Sequence, residues 1–378
     1  MKKAWVAMVV VGAVAGMLLV YNLLGGFVQN PPGFDEDDLN MPFINDMARN
    51  EEYPGPLSGL NYPMNLQPAF SYSPIAYASF GGVLELFVEN DGRNDAYVHH
   101  YYVAWEGGNE TFQVNCSRLI ASGGMEGLGK LHFAGPGVTG PATLEIWVEI
   151  WTSSPNGELW DDQGELSVGT IDFEVLDEEP LRDWYVERNP IQYYNKVNEL
   201  IDLDIVRSLA DEVRSAVPGN YSLLQVIKAY ELVDLRIGYA EDEDNHWQPP
   251  AETIMLGTGD CEDHSLLLAS LITELGGTCR VNLITGHAFP SVYVGNASAI
   301  DDVVGAIQAY YGDPLPVHYT VDDLGYWLII DTNGLPYVGG YPAASSPAGG
   351  AGGEYWISDE GDWIKLIDVT GETVDTLF

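Results

Sequence analysis

The chain has 378 residues, 46% of them apolar and including 10 Trp and 22 Tyr, so it is long enough for two domains with cores and too apolar for general disorder. Its 56 acidic and 15 basic residues give a net charge of −41, which argues against nucleic acid and anionic membrane surfaces as partners, because both need cationic patches. Three cysteines do not make a disulfide scaffold or zinc site, and seven histidines lack metal-ligand spacing, so we predict no metal and no cofactor.

Residues 1–24 contain an apolar run that predicts a membrane anchor. Lys2 and Lys3 are followed by an uncharged stretch of roughly 20 residues, which is enough to span a bilayer as a helix. The lysines predict a cytoplasmic N-terminus and extracytoplasmic globular domains. The competing interpretation is a cleaved signal peptide, but the small residues at 13–15 offer a cleavage site that would leave half of the run attached. We therefore expect a single-pass membrane protein with an uncleaved signal anchor.

Two regions of different composition follow. Residues 25–64 are rich in Gly, Pro, Asn and Asp and are predicted to form a juxtamembrane linker. Residues 65–178 contain short alternating apolar segments, polar turns and no helical segment between them, which predicts an antiparallel, immunoglobulin-like β-sandwich. The clearest predicted strands are 83–89, 96–105, 142–151 and 170–175.

From residue 180 to residue 378 the apolar spacing becomes helical and then mixed. It predicts a helix over 191–213, a second helix opened by a capping box at Ser222, and a third that follows the glycine turn at 257–259. Strands are predicted at 279–285, 287–294 and 326–331, with a closing strand at 363–369. The third region is therefore predicted to be an α+β domain.

The segment 257–264, GTGDCEDH, places Cys261 at the first turn of an apolar helix. Asp260 is a good N-cap, and Asp263 can serve as its capping-box partner. Backbone N–H groups at this position lack intrahelical acceptors and favour an anion, and the thiolate is the nucleophilic form of cysteine. Glu262 and Asp263 oppose this effect, so a histidine partner must supply most of the activation.

His287 begins a strand after a glycine, and Asp331 ends a further strand. Thiol acyl transfer needs a nucleophile, a base and a group that orients the base, so Cys261, His287 and Asp331 form a candidate triad. His264, one helical turn after Cys261, is a rival base or a supporting neighbour, because a residue at i+3 points along the helix. Trp247 either lines the acyl pocket or merely packs. Cys261 itself could also be a structural, buried cysteine.

Four segments carry a family resemblance. They are GDCEDH at 259–264, WQPPAE at 247–252, GHAF at 286–289 and IID at 329–331. Together they resemble the transglutaminase-like superfamily, in particular its prokaryotic and archaeal members, over roughly residues 185–335.

The resemblance implies a papain-like α+β fold in which a helix carrying the cysteine packs on an antiparallel sheet carrying the histidine and aspartate. It also implies that Cys261 is the nucleophile, His287 the base and Asp331 the orienting group. Phe289, a candidate pocket residue, stands where the family usually has Trp, and Pro290 predicts an edge strand or a bulge. No motif matches the calcium sites of animal enzymes, so no calcium is carried over.

Two functions from different classes fit this sequence. The first is a membrane-anchored thiol enzyme that acts on an amide or peptide bond of a protein or peptide substrate through an acyl-cysteine, which water or an amine then resolves. The acidic surface favours a lysine-bearing acceptor over anionic substrates. The second is a catalytically silent, transglutaminase-like binding module in a cell-surface adhesion or scaffold protein. A thiol sulfur within hydrogen-bond reach of the imidazole nitrogen, beside an open cleft, favours the enzyme, and a thiol sealed under residues 296–326 favours the binding module or a gated enzyme.

Overall fold

A computed structural model describes residues 31–44, 47, 54–241, 246–348 and 355–374. In these residues a β-sandwich precedes a mixed α+β unit, and buried apolar side chains form two clusters, one centred on each unit. The element labels below follow the order of the chain.

The β-sandwich consists of a three-stranded and a five-stranded sheet. Its strands are β1 (Leu66–Tyr72), β2 (Ala76–Tyr77), β3 (Gly82–Asn90), β4 (Ala96–Trp105), β5 (Phe112–Ile120), β6 (Met125–Phe133), β7 (Gly140–Ser153) and β8 (Trp160–Leu176). The strand orders are β1-β3-β6 and β2-β8-β7-β4-β5, and neighbours are antiparallel except for the β2–β8 pair. Each of the four clearest predicted strands lies within an observed strand.

Alternation along the strands explains the sandwich core. On β7, Leu144, Ile146, Val148 and Ile150 are fully buried, and the residues between them are partly exposed. Successive side chains of a strand point to opposite faces, so this pattern turns one apolar face of the sheet inward. The three-stranded sheet supplies the facing apolar side chains from β3 and β6.

The α+β unit contains six helices in the described residues. They are α1 (Ile191–Leu200), α2 (Leu203–Ala216), α3 (Leu223–Arg236), α4 (Pro250–Leu256), α5 (Cys261–Glu274) and α6 (Ile300–Tyr311). The single helix predicted over 191–213 is two helices, because Asp202 caps α2 by accepting the N–H of Ile205 at 3.1 Å. The predicted cap of α3 is present, since the Ser222 hydroxyl accepts the N–H of Gln225.

The strands of this unit form one large sheet and two short pairs. They are β9 (Tyr185–Arg188), β10 (Gly238–Tyr239), β11 (Thr258–Gly259), β12 (Cys279–Ile284), β13 (His287–Gly295), β14 (Tyr319–Asp322), β15 (Gly325–Ile329), β16 (Ser345–Ala348), β17 (Tyr355–Ser358) and β18 (Trp363–Asp368). The large sheet has the order β14-β15-β13-β12-β18-β9, and all its neighbours are antiparallel except β18 and β9. Helix α5 packs on β13 and β12 and is buried on almost every side.

A buried charge network fixes the centre of the large sheet. Arg280 on β12 is fully buried, its Nε donates to Asp368 Oδ1 at 2.5 Å, and its Nη1 pairs with Asp322. The guanidinium carbon lies 3.5 Å from the centroid of the Trp327 ring. Both carboxylates and the aromatic face therefore compensate a charge that has no contact with solvent.

Part of the predicted linker packs against the α+β unit. Phe43 donates its N–H to the carbonyl of Tyr221 and accepts the N–H of Leu223 with its own carbonyl. The ring of Phe34 stacks on Trp327 with centroids 6.0 Å apart. Residues 31–44 therefore belong to the folded body, whereas most of the remaining linker before residue 54 lies outside the described residues.

The two units meet through an aromatic and polar contact. Phe80 of the sandwich packs against His318 and Tyr341, with ring centroids 6.3 and 5.6 Å apart. The N–H of His132 donates to Oδ2 of the buried Asp313 at 2.9 Å. The sandwich is thereby fixed against the unit that carries the candidate site.

The predicted transmembrane helix, membrane partner and single-pass localisation are corrected by the structure. In the described residues no helix is long and apolar enough to cross a membrane. The longest of these helices have 14 residues, or about 21 Å, and a bilayer core is about 30 Å thick. The apolar run at 1–24, on which the prediction rested, lies outside the described residues. The membrane anchor is therefore not part of the function proposed below.

Candidate active site

Cys261 is the first residue of α5, which a tight glycine loop leads into. Gly257 ends α4 in the left-handed region with φ of 68°. A Cβ on Gly259 would lie 2.7 Å from the Cβ of Asp263, so only glycine permits the backbone to pass so closely. The loop thus delivers Cys261 to the helix N-terminus with its side chain only 8% exposed.

Asp263 holds this loop together rather than facing a ligand. Its Oδ2 accepts the N–H of Asp260 at 3.1 Å, and its Oδ1 accepts the N–H of Gln248 at 2.7 Å. Asp263 is fully buried, so both bonds form in a region that excludes water. It therefore fixes the segment after Trp247 against the N-terminus of α5.

His287 and Asp331 form a buried pair. The Nε2 atom of His287 lies 2.7 Å from Oδ2 of Asp331. Asp331 also accepts the N–H of Asn333 on Oδ1 and the N–H of Ala343 on Oδ2. Burial alone would raise the pKa of Asp331, but the charge and hydrogen bond of His287, together with these N–H groups, hold it below its usual range.

This pairing defines the tautomer of the histidine. An ionised carboxylate can only accept, so the imidazole donates through Nε2, and Nδ1 is the nitrogen left to act as a base. Gly286, with φ of 73°, forms the tight turn between β12 and β13 and sets His287 at the start of its strand. The ring also stacks on Phe289, with centroids 5.9 Å apart and planes 18° apart.

Cys261 and His287 line one cavity of about 370 Å³. Its wall also contains four aromatic residues, three acidic residues and one lysine. These are Tyr193, Tyr239, Trp247, Trp363, Glu241, Asp260, Glu262 and Lys365. In the described part of the chain, no residue of the 296–326 excursion contributes to this wall, so that segment does not seal the thiol.

The thiol is held in its neutral form. Its Sγ donates to Oε2 of Glu262 at 2.8 Å. Burial raises the pKa of Cys261 well above its usual range, and the hydrogen bond and charge of Glu262 raise it further. The backbone N–H of Ala288 acts in the opposite direction, but its contribution is smaller. Burial and the charges of Glu262 and Asp263 also raise the pKa of Asp260 to about 7.

The remaining predicted residues take different positions. Trp247 lines the cavity and is buried, with Lys196 Nζ 3.8 Å from its ring centroid. Phe289 does not line the cavity as far as the structure describes it; its ring stacks on His287 and packs on Trp356. His264 is outside the cavity wall as far as the structure describes it, and its Nδ1 is 2.8 Å from the Thr332 hydroxyl.

His264 therefore connects α5 to the segment that follows Asp331. Burial lowers the pKa of His264, and the carbonyl of Gly238 and the charge of Asp331 oppose this only in part. A neutral, buried imidazole bonded to Thr332 suits a supporting position better than that of a base beside Cys261.

The sequence did not single out several residues of the cavity wall. Trp363 and Lys365 are two positions apart on β18, so they share one face of that strand. The Lys365 ammonium lies 3.6 Å from the centroid of the Trp363 ring and 5.4 Å from that of Tyr193. Their alternation was visible in the sequence, but the pairing of β18 with β12, which brings them to the site, was not.

The other thiols in the described structure lie away from this cavity. Cys279 is fully buried on β12, and Cys116 is buried in the sandwich. Burial raises the pKa of each of these two thiols to about 12. Neither has the access to solvent that a reactive cysteine requires.

Comparisons with known proteins do not assign a family. No family model and no curated protein matches the chain. Among solved structures it is similar to a Bordetella pertussis protein described as ApaA (11% identity, TM-score 0.22, 30% of this chain and 95% of that one). It is also similar to the alkylpurine DNA glycosylase AlkC of Pseudomonas fluorescens (13% identity, TM-score 0.20, 29% of this chain and 30% of that one). A third similar structure is Escherichia coli alpha-2-macroglobulin from domain MG7 to the C-terminus (11% identity, TM-score 0.21, 65% of this chain and 42% of that one). TM-scores this low carry no information about the fold or the activity of this chain.

Proposed function

We propose that the chain is a thiol enzyme of the transglutaminase-like type that transfers an acyl group from an amide or peptide bond. The observation that carries the proposal is that Cys261, at a helix N-terminus, shares a cavity with His287, whose Nε2 atom is bound by Asp331. A nucleophile, a base and an orienting carboxylate are the groups that thiol acyl transfer needs.

The reaction follows from these positions. Nδ1 of His287 takes the proton from the Cys261 thiol, and the sulfur attacks the carbonyl carbon of the amide. The C–N bond then breaks as His287 returns the proton to the departing amine, and a thioester remains on the cysteine. Water or a primary amine, deprotonated by His287, attacks the thioester and regenerates the thiol. The N–H of Cys261, at the first helical position, is free of an intrahelical acceptor and is suited to bind the developing oxyanion.

The cavity wall supports a substrate class. Glu241, Asp260 and Glu262 place acidic groups around the thiol, and aromatic rings cover much of the remaining wall. This combination favours a substrate or acceptor that carries a cationic amine near the reacting carbonyl, and it disfavours anionic substrates. Water is the default acceptor because the cavity is open to solvent.

Mass spectrometry of candidate proteins incubated with the enzyme and a primary amine tests this proposal. A mass increase by the amine on glutamine side chains identifies transamidation, and cleaved or deamidated products identify hydrolysis. In parallel, a thiol-directed amide probe should label the wild type and the Cys279→Ala variant but not Cys261→Ala. Labelling that both substitutions reduce equally, or unchanged substrates with an unlabelled Cys261, would favour the silent binding module instead.

A further inference from the structure

Three consecutive residues direct ligand atoms to one corner of the cavity. A carboxylate oxygen of Asp260, the Sγ of Cys261 and a carboxylate oxygen of Glu262 all lie within 4.8 Å of one another. Asp260 and Cys261 are 9% and 8% exposed, and Glu262 is half-buried at the cavity wall. A thiol and two acids therefore converge on one small volume.

A second observation shows that this corner lacks a positive partner. Oδ1 of Asp260 is buried and has no hydrogen-bond partner in the described structure. Asp260 and Glu262 form no ion pair with any described residue. Lys365 reaches the same cavity, but its ammonium lies over the Trp363 ring. A buried carboxylate oxygen without a donor, beside a second acid, is costly as an anion, so either a proton or a bound cation must neutralise this corner.

We propose that Asp260, Cys261 and Glu262 bind a divalent zinc-type cation, which holds the sulfur and turns the nucleophile off. One thiolate and two carboxylates match Zn²⁺, whereas Mg²⁺ and Ca²⁺ require oxygen ligands throughout. Ligands of a tetrahedral zinc lie roughly 3.5 Å apart, and the three atoms here lie within 4.8 Å of one another, so only small side-chain adjustments are needed to close around an ion. All three residues line the cavity, so water can reach a cation held between them.

Zinc binding breaks the S–H bond of Cys261 and releases its proton into solvent. A Zn–S bond forms, and the hydrogen bond from the thiol to Glu262 is lost. The sulfur lone pair that would attack an amide is then donated to the metal. The effect on activity rests on the proposed function, but the binding of the metal does not. The sequence alone does not indicate this site, because the three donor residues are adjacent and do not have the ligand spacing of known zinc motifs.

Titration of the metal-free chain with Cd²⁺ tests the site, because a Cd–thiolate bond has its own ultraviolet charge-transfer absorption. We expect one equivalent to produce this band in the wild type, and Zn²⁺ to displace it. The band should disappear in Cys261→Ser, and the Kd should rise at least about 10-fold in Asp260→Asn and in Glu262→Gln. The exposed Glu199→Gln and the buried Cys279→Ala variants are the matched controls and should bind as the wild type does.

The outcomes separate this inference from the proposed function. A band that persists in Cys261→Ser, or Kd values unchanged in both folded acid variants, overturns the metal site. Circular dichroism identifies which variants are folded, and Glu262→Gln is at a half-buried position that tolerates the change best. Metal binding without any amide-probe labelling of metal-free enzyme would support the site and refute the enzyme. Labelling that Zn²⁺ does not block, together with no charge-transfer band, would support the enzyme and refute the metal site.

Discussion

Cys261 donates its thiol proton to Glu262, with Sγ and Oε2 2.8 Å apart. The candidate nucleophile is therefore bound to an acid that stabilises the thiol, although it shares a cavity with the imidazole that would activate it. The hydrogen bond of the thiol goes to Glu262 and none joins it to His287, so in the proposed reaction the two groups compete for the same proton. Reactivity at Cys261 is expected to depend on which of them holds it.

Glu262→Gln is expected to make the thiol more reactive. Burial is the largest cause of the raised pKa of Cys261, and the hydrogen bond and charge of Glu262 are the next largest. Removing that charge lowers the thiol pKa, so a larger fraction is thiolate at neutral pH. We expect alkylation by iodoacetamide to be about 10-fold faster, which corresponds to one pKa unit.

The pH profile of alkylation provides the sharper measurement for this variant. The midpoint should move to lower pH in Glu262→Gln and stay in place in the exposed control Glu199→Gln. Asp260, Tyr239 and His287 also line the cavity and are unchanged in both variants. An unshifted midpoint would show that Glu262 does not control the thiol.

Asp331→Asn is expected to lower kcat/KM by about a hundredfold or more while the protein stays folded. An asparagine amide can donate to Nε2 of His287, which favours the tautomer with hydrogen on Nδ1 and removes the base facing the site. Steady-state kinetics on the substrate found by mass spectrometry measure this. His264→Gln is the comparison: a base at His264 would give the larger loss there.

The ionised Asp331 carboxylate should also affect how the free energy of unfolding changes at acidic pH. Its pKa in the folded protein is lowered, so it stabilises the fold fully above its ordinary value of about 4, and this contribution is lost as the pH falls through the folded pKa. Urea unfolding of the wild type should therefore show a steeper loss of stability below about pH 4 than unfolding of Asp331→Asn. Equal slopes would mean that the carboxylate is not ionised against His287.

Asp313→Asn is expected to stabilise the contact between the two units above neutral pH. Burial raises the pKa of Asp313 to about 7, although the N–H of His132 opposes it. An acid with a raised folded pKa costs stability as the pH rises from its unfolded value of about 4 to its folded value. The variant should therefore unfold at higher urea concentration than the wild type near pH 8, and the difference should vanish near pH 4. A constant difference would exclude ionisation of Asp313 as the cause.

Arg280→Met is expected to destabilise the α+β unit by about 3–5 kcal/mol. The substitution leaves Asp368 buried without its cation and Asp322 paired only with Arg188, and it removes the group that stacks on Trp327. Arg207→Met is the control, because its side chain is 59% exposed and its shortest ion pair joins the exposed Asp204, so about 1 kcal/mol or less is expected. Urea midpoints of the two variants compare them directly.

Local patterns predicted local structure well. The N-cap at Ser222, the alternation along β4 and β7 and the glycine turn before Cys261 each depend on neighbouring residues, and each is found in the structure, although the Gln225 side chain donates to the carbonyl of Val217 rather than completing a capping box. The break at Asp202 was missed because the apolar spacing continues across it. Pro290 was expected at an edge or bulge, yet it lies in β13 between β12 and β15, where its carbonyl still accepts the N–H of Ile330.

The sequence by itself determined which residue types were present for thiol chemistry and in which order they follow along the chain. The tertiary structure decided what surrounds them, because contacts between distant segments depend on strand pairing and packing that no local pattern specifies. It placed β18 beside β12, which brings Trp363 and Lys365 to the cavity, and bound His287 to Asp331 across 44 residues. It also placed the Cys261 thiol against Glu262. Burial and this contact raise the pKa of the thiol, and they outweigh the effect of its position at the helix N-terminus.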